Sequence, residues 1–327
     1  MISLRDIFKK QTGFLRGLKL AYVINNLLNA DKLQQNKELY KKFGLRKSIF
    51  SPVGSQDFLT LPQSEIPWLD RPYAMDALVQ HPDFQNFTKE EQEMLKQFVD
   101  KGYFILKGFY DVDEVEKLNA EIARLLEQKR TDFNYTGRKI MDAYRESAFI
   151  DRHFFRNPRL LKLLDFIMGR KVLPFQTIHF IEGSEQKTHS DSIHMTTQPP
   201  GYLIATWTAL EETHEGNGPL FYYPGSHRLP YLMCPDYDSG NTTWQLGENS
   251  YRHYEEKIEE VLAKNTFQKE YFFARKGDVL IWHANLLHGG SPITRKGSTR
   301  KSMVAHYFCE GVICYHEISQ RPALVGS

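Results

Sequence analysis

The spacing of apolar positions changes near residue 171, and the change divides the chain. Before it the spacing is helical. In "DVDEVEKLNAEIARLLEQ", Val115, Leu118, Ile122 and Leu125 fall on one helical face. In "TKEE", Thr88 and Glu91 have the spacing of a capping box, which predicts a helix running to about Asp100. "GYFILKGF" (102–109) reads as a short strand, and a further helix near 157–168 ends at Gly169. Residues 1–45 read as mostly helical. Residues 48–87, punctuated by Pro52, Pro62, Pro67, Pro72 and Pro82, read as an irregular wrapping segment.

Beyond residue 171 the runs are short, β-branched and aromatic: "VLPFQTIHFI", "GYLIATWTAL", "PLFYYP", "KEYFFA", "DVLIWHA" and "RKSMVAHYFC". Strands without crossover helices between them predict an antiparallel sandwich or barrel, mainly β with flanking helices. Residues 230–268 are the exception. They are polar, with a helix expected at about 252–264, and read as a long insertion over one end.

Composition narrows the partners. With 327 residues, 41% hydrophobic and 25% charged, the chain can bury a full core of one or two domains. A net charge of +2 is too small to argue for nucleic acid. Cys234, Cys309 and Cys314 have no zinc-type spacing and suit a reducing, cytoplasmic compartment. No apolar run approaches the ~20 residues that span a bilayer, and the first residues lack the apolar core of a secretory signal. The charge is uneven, however: residues 1–50 carry +8 and the rest −6. Leu4, Ile7, Phe8, Phe14, Leu15, Leu18 and Tyr22 recur at helical spacing among Arg5, Lys9, Lys10, Arg16 and Lys19. This reads as a basic helix in peripheral contact with an anionic membrane, as a helix packed on its own domain or, on weaker grounds, as an organellar presequence.

Candidate chemistry begins in "QKTHSDSIHM". On an extended strand, His189 and Asp191 point to the same face, and imidazole beside carboxylate suits a divalent cation. A third ligand should come from another strand. His288 stands out in "GDVLIWHANLLHGGSP", because Gly289-Gly290 lets the backbone pass close to something. His283, five residues earlier beside Trp282, is the alternative. His189, Asp191 and His288 would form a two-histidine, one-carboxylate facial triad, which leaves one face of octahedral Fe(II) open. Such a centre needs two electrons, which 2-oxoglutarate supplies; its distal carboxylate then needs a buried cation with a bidentate fork. Arg300 opens an apolar strand and can point inward, or can be an ordinary surface arginine. Arg295 lies in a turn and faces solvent.

Four blocks in order carry a family resemblance: "GYFILKGFYDVDEVEKLNAEI", "HSD", "WTALEETHEGNGPLFYYPGSHR", and "GDVLIWHANLLHGGS" with the following "TRKSM". Across roughly residues 90–310 the chain resembles the phytanoyl-CoA dioxygenase family of Fe(II)/2-oxoglutarate-dependent oxygenases. The resemblance implies a double-stranded β-helix, the jelly-roll or cupin-like form of the sandwich. It also implies iron on His189, Asp191 and His288, 2-oxoglutarate on Arg300, O2 as oxidant, and a small-molecule substrate. Trp207 matches a family tryptophan lining the co-substrate pocket, and can equally be a core aromatic. His227 could reach substrate but is expected in a structural hydrogen bond, and His194 as a neighbour of the site, a substrate contact or a plain loop residue. Related halogenases lack the carboxylate that Asp191 supplies, so oxygenation is expected. Residues 88–327 would then be the dioxygenase domain and 1–87 a helical and wrapping segment. The N-terminal segment and the 230–268 insertion are expected to bear on substrate and not on the iron.

Overall fold

A computed structural model describes residues 17–61, 65–134 and 136–325. Helices α1 (Lys19–Leu28) and α2 (Asn36–Lys42) come first. The wrapping segment follows, and it holds a helix the prolines did not suggest, α3 (Ala74–Gln80). Next are α4 (Lys89–Lys101), β1 (Tyr103–Leu106) and α5 (Val112–Glu127). Then come β2 (Lys139–Met141), α6 (Pro158–Met168), β3 (Val172–Phe180), β4 (Thr196–Gln198), β5 (Leu203–Ala209) and β6 (Leu220–Tyr222). Helix α7 (Ser250–Ala263) lies in the insertion. The chain closes with β7 (Glu270–Phe272), β8 (Val279–His283), β9 (His288–Gly290), β10 (Ser302–Cys309), β11 (Ile313–His316) and β12 (Arg321–Pro322).

The capping box opens α4 as expected: the Glu91 N–H donates to Thr88 Oγ1 at 3.2 Å and the Thr88 N–H to Glu91 Oε2 at 2.9 Å. Gly102, at φ 81°, ends that helix in the left-handed region that glycine enters without penalty.

All described strand pairs are antiparallel. The large sheet has the order β1-β8-β5-β10-β3-β2, and two small sheets run β7-β6-β9 and β12-β11-β4. The large sheet is buried on both faces, which is why its strands read as unbroken apolar runs. Along β8, Val279 and Ile281 pack outward against α4, α5 and α6, while Leu280 and Trp282 point inward. Trp207, Leu220, Tyr222 and Phe272 join that inner cluster, so the interior lies between the large sheet and β7-β6-β9. This is the jelly roll, with helices covering its outer face.

The N-terminal segment packs on the small sheet β12-β11-β4. Leu33, Tyr40, Val53 and Phe58 pack with Ile313 and Tyr315 of β11. Of the expected basic stripe, residues 4 to 16 lie outside the described residues. At its described end, Leu18 and Tyr22 are half-buried, while Lys19, expected on the polar side, is buried and Leu20 is exposed.

Candidate metal centre

The HSD segment is not a continuous strand. His189 forms a two-hydrogen-bond bridge with His288, each backbone N–H donating to the other's carbonyl at 2.9 Å. Asp191 then begins a single 3-10 turn, Asp191–Ile193. Side-chain donor atoms of His189, Asp191 and His288 all lie within 4.8 Å of one another, and all three residues are buried. Two imidazoles and one carboxylate on one side of a cavity fit the donor set of a divalent ion with open positions.

The backbone prepares each donor. The Nδ1–H of His189 donates to Lys187 O at 2.8 Å and that of His288 to Leu286 O at 2.9 Å, so both Nε2 lone pairs face the cluster. Burial, with His288 and His194 nearby, holds His189 well below the usual imidazole pKa and keeps it neutral. Burial alone would raise the Asp191 pKa; the surrounding His288, His306 and His189 override it and hold the carboxyl far below its usual range. The Trp282 indole N–H donates to Asp191 Oδ2 at 2.7 Å, leaving Oδ1 for the cluster.

Gly289 and Gly290 do what their position suggested. A Cβ on Gly289 would stand 2.5 Å from Phe221 Cζ, and one on Gly290 2.5 Å from Ser184 Oγ, so only glycine lets β9 slide past both.

Arg300 is 2% exposed and lines the same cavity, which has a volume of about 320 Å³. Its Nε and Nη1 have no hydrogen-bond partner among the described residues. Burial pushes this guanidinium down to about 10, with Glu211 working the other way. A buried cation with unmet N–H donors is costly, and a bound carboxylate would supply the missing acceptors. Trp207 lies under the Arg300 guanidinium, 5.7 Å from ring centroid to Cζ, and also walls the cavity. Its two readings merge, since it is at once core aromatic and cavity wall. Arg295 is exposed in a turn, as expected.

The alternative ligand is excluded by position. His283 Nε2 sits 3.1 Å from Asp70 Oδ1, and its Nδ1 accepts from the Asn285 N–H at 3.1 Å. Consecutive strand positions face opposite sides, so Trp282 points at Asp191 and His283 must point away. His227 Nε2–H donates to Val99 O at 3.2 Å, the structural bond expected of it. His194 lines the cavity, accepts from Gln186 Nε2 at 2.8 Å, and stacks on Tyr251 at 5.3 Å.

Several cavity residues were missed from the sequence. His306 Nε2 lies 3.7 Å from Asp191 Oδ1. A signal was available, because His306 shares the alternating face of β10 with Arg300 and Val304. Lys139 of β2 and His316 of β11 also wall the cavity. Helix α7 corrects the expectation that the insertion stays clear of the centre. The Ser190 N–H, between two of the three donors, donates to Tyr254 Oη at 2.9 Å.

Comparison with known proteins gives the family and the fold. The family model "Phytanoyl-CoA dioxygenase (PhyH)" matches residues 98–302. Peroxisomal phytanoyl-CoA dioxygenase of Bos taurus is 23% identical over 254 residues, covering 69% of this chain and 72% of that protein. The Rattus norvegicus enzyme is 24% identical over 241 residues, covering 66% and 67%. Among solved structures, the α-ketoglutarate-dependent carbocyclase SnoK from nogalamycin biosynthesis superposes with a TM-score of 0.54 at 14% identity, covering 72% of this chain and 88% of its own. Iron-bound EctD from S. alaskensis superposes with a TM-score of 0.52 at 22% identity, covering 68% and 77%. These superpositions speak for the shared fold. With more than half its length matched by the family model, the chain belongs to the phytanoyl-CoA dioxygenase family, a branch of the Fe(II)/2-oxoglutarate-dependent oxygenases.

Proposed function

We propose that this protein is a non-haem Fe(II)/2-oxoglutarate-dependent dioxygenase that hydroxylates an unactivated C–H bond of a small-molecule or lipid-like substrate, with O2 consumed and succinate and carbon dioxide released. Bound iron supplies the oxidising chemistry that no side chain provides. In this reading His189, Asp191 and His288 hold the iron. The Nε2 atoms are offered by the Nδ1–H anchors on Lys187 and Leu286, and Trp282 fixes Asp191 so that Oδ1 faces inward. Arg300 binds the distal carboxylate of 2-oxoglutarate, with Trp207 beneath its guanidinium. Ile178, Phe180, Leu220 and Val304 line the cavity between these polar groups and keep it dry.

One observation carries the reading. The buried guanidinium of Arg300, whose Nε and Nη1 have no hydrogen-bond partner among the described residues, and the three-donor cluster open into one cavity. A metal-binding protein without a keto-acid co-substrate has no use for that cation. The catalytic unit proposed is residues 88–327, with 230–268 inserted and 1–87 wrapped around it. A cytoplasmic setting is proposed with it, supported by three free, buried cysteines. No helix of the described residues is long and apolar enough to cross a membrane.

The test is an anaerobic titration of metal-free protein with Fe(II) and then 2-oxoglutarate, following the weak visible charge-transfer band of a chelated keto acid. The band is expected in the wild type and absent in Asp191→Ala. Arg300→Ala should keep iron but need roughly 10- to 100-fold more 2-oxoglutarate, the loss of a charge-assisted pair worth about 1.5–3 kcal/mol. A folded, iron-loaded protein without the band would favour a non-catalytic ligand-binding protein or an oxygen-independent metalloenzyme.

A further inference from the structure

Helix α1 faces the wrong way for a helix packed on its own domain. Its most buried residues are polar: Lys19 and Asn26 are buried beside half-buried Tyr22 and Val23, and Asn26 Nδ2 donates to Phe50 O at 3.0 Å. Its outward side is aliphatic, with Leu20, Ile24, Leu27 and Leu28 exposed by 62, 52, 52 and 80%. Spaced i, i+4, i+7, i+8, they make one stripe. Trp244, 76% exposed, stands beside them, because the Lys19 N–H donates to Trp244 O at 3.0 Å and the Leu246 N–H to Gly17 O at 2.8 Å. The insertion therefore meets the N-terminal helix there, and each contributes apolar surface to solvent.

Charge selects the occupant. Residues 17–50 carry seven lysines or arginines against two acids, with Lys37, Lys41, Lys42 and Arg46 exposed just after α1. An aliphatic stripe, an exposed indole and a cationic surround suit the interface of an anionic bilayer. Position adds a reason for it. Gln176, Met195, His316 and Arg321 wall both the metal cavity and a second cavity of about 410 Å³, which reaches Asn25 and Asn26 of α1.

We propose that the outward face of α1, with Trp244, docks on an anionic lipid bilayer and brings the outer end of the active-site cavity to its surface. The substrate class this favours is an amphiphile whose polar head enters past Asn25 and Asn26; that part alone rests on the oxygenase reading above.

Docking is read without iron or 2-oxoglutarate. Full-length protein is sedimented with vesicles of phosphatidylcholine, with and without phosphatidylglycerol, while tryptophan emission is followed. Trp207 and Trp282 are buried and Trp68 half-buried, so a blue shift on binding reports mainly Trp244. Binding is expected to the anionic vesicles and to weaken with salt. Ile24→Glu with Leu28→Glu should cut it about tenfold or more at unchanged melting temperature, since both side chains are exposed. Trp244→Phe should keep binding and lose the emission shift. Binding to neither vesicle, binding indifferent to the double variant, or a wild-type dimer that this variant splits would overturn the proposal. A protein that docks but shows no keto-acid band would fail only the oxygenase reading.

Discussion

Two backbone carbonyls decide what His189 and His288 can offer. A carbonyl only accepts, so Lys187 O and Leu286 O keep a proton on each Nδ1 and leave each Nε2 free. Asp191 has a similar support in the Trp282 indole. Trp282→Phe would keep an aromatic ring there and remove only the donor. Iron affinity, measured by anaerobic competition with a chelator, should fall roughly 10- to 100-fold with little loss of thermal stability. An unchanged affinity would mean that the hydrogen bond does not orient the carboxylate. Away from the cluster, His179 is fully buried with neither ring nitrogen partnered among the described residues, and burial pushes its pKa down to about 3. The unfolded imidazole titrates near 6.5, so between those values the unfolded chain takes up a proton that the folded one refuses. Stability present in full above pH ~6.5 is thus lost as the pH falls toward ~3, by at most about 1.4 kcal/mol per pH unit. His179→Leu should flatten the fall of melting temperature between about pH 7 and pH 5. An equally steep fall in the variant would acquit this residue.

Helix α7 shows how an element inserted far along the chain can still set the metal centre. Tyr254 is fully buried and takes the Ser190 N–H, while Tyr251 accepts from Gln186 and stacks on His194. Tyr254→Phe would strand a buried backbone donor at a cost of about 1–3 kcal/mol, and should also weaken iron binding because Ser190 separates His189 from Asp191. A lower melting temperature with unchanged iron affinity would confine α7 to a structural role. Thr88→Ala is the contrasting case: losing the α4 cap should cost about 1 kcal/mol and leave iron affinity alone, since the cap lies on the outer layer. These two helices also mark where the sequence was readable. The cap, the α5 face and the apolar runs that became β1, β3, β5, β6, β7, β8 and β10 are local patterns, and they were all visible. Strands β2, β4, β9, β11 and β12 have two to four residues each, and only pairing with distant partners defines them. At the site, His189, Asp191, His288 and Arg300 were named because their residue types and spacing carry chemistry. Tyr254 and Trp282 were not, because a lone aromatic says nothing about the backbone amide or carboxylate it will meet across the fold.

Across the whole molecule, the three candidate donors join parts of the chain that folding must first bring together. His189 and Asp191 sit in the loop after β3, and His288 lies on β9 at the small sheet, almost a hundred residues later. A backbone bridge, His189 to His288, ties two of them directly. An ion held by all three would therefore bind the folded chain and have little affinity for the unfolded one. By mass action that binding adds about 2.7 kcal/mol at a hundredfold excess over the dissociation constant. For a chain of 327 residues the expected rise in melting temperature is a few degrees, because larger proteins have larger unfolding entropies. Differential scanning fluorimetry under anaerobic conditions checks this, with Fe(II) or redox-inert Mn(II) as the ligand. Asp191→Ala should lose the shift entirely. Arg300→Ala should keep it, yet lose the further rise that 2-oxoglutarate produces in the metal-loaded wild type. A metal shift of equal size in wild type and Asp191→Ala would place the ion elsewhere on the molecule. A 2-oxoglutarate shift that needs no metal would separate the anion site at Arg300 from the donor cluster. Only the ordered pair of shifts, metal first and keto acid second, matches a cavity in which one wall holds the ion and the other holds the far end of its ligand.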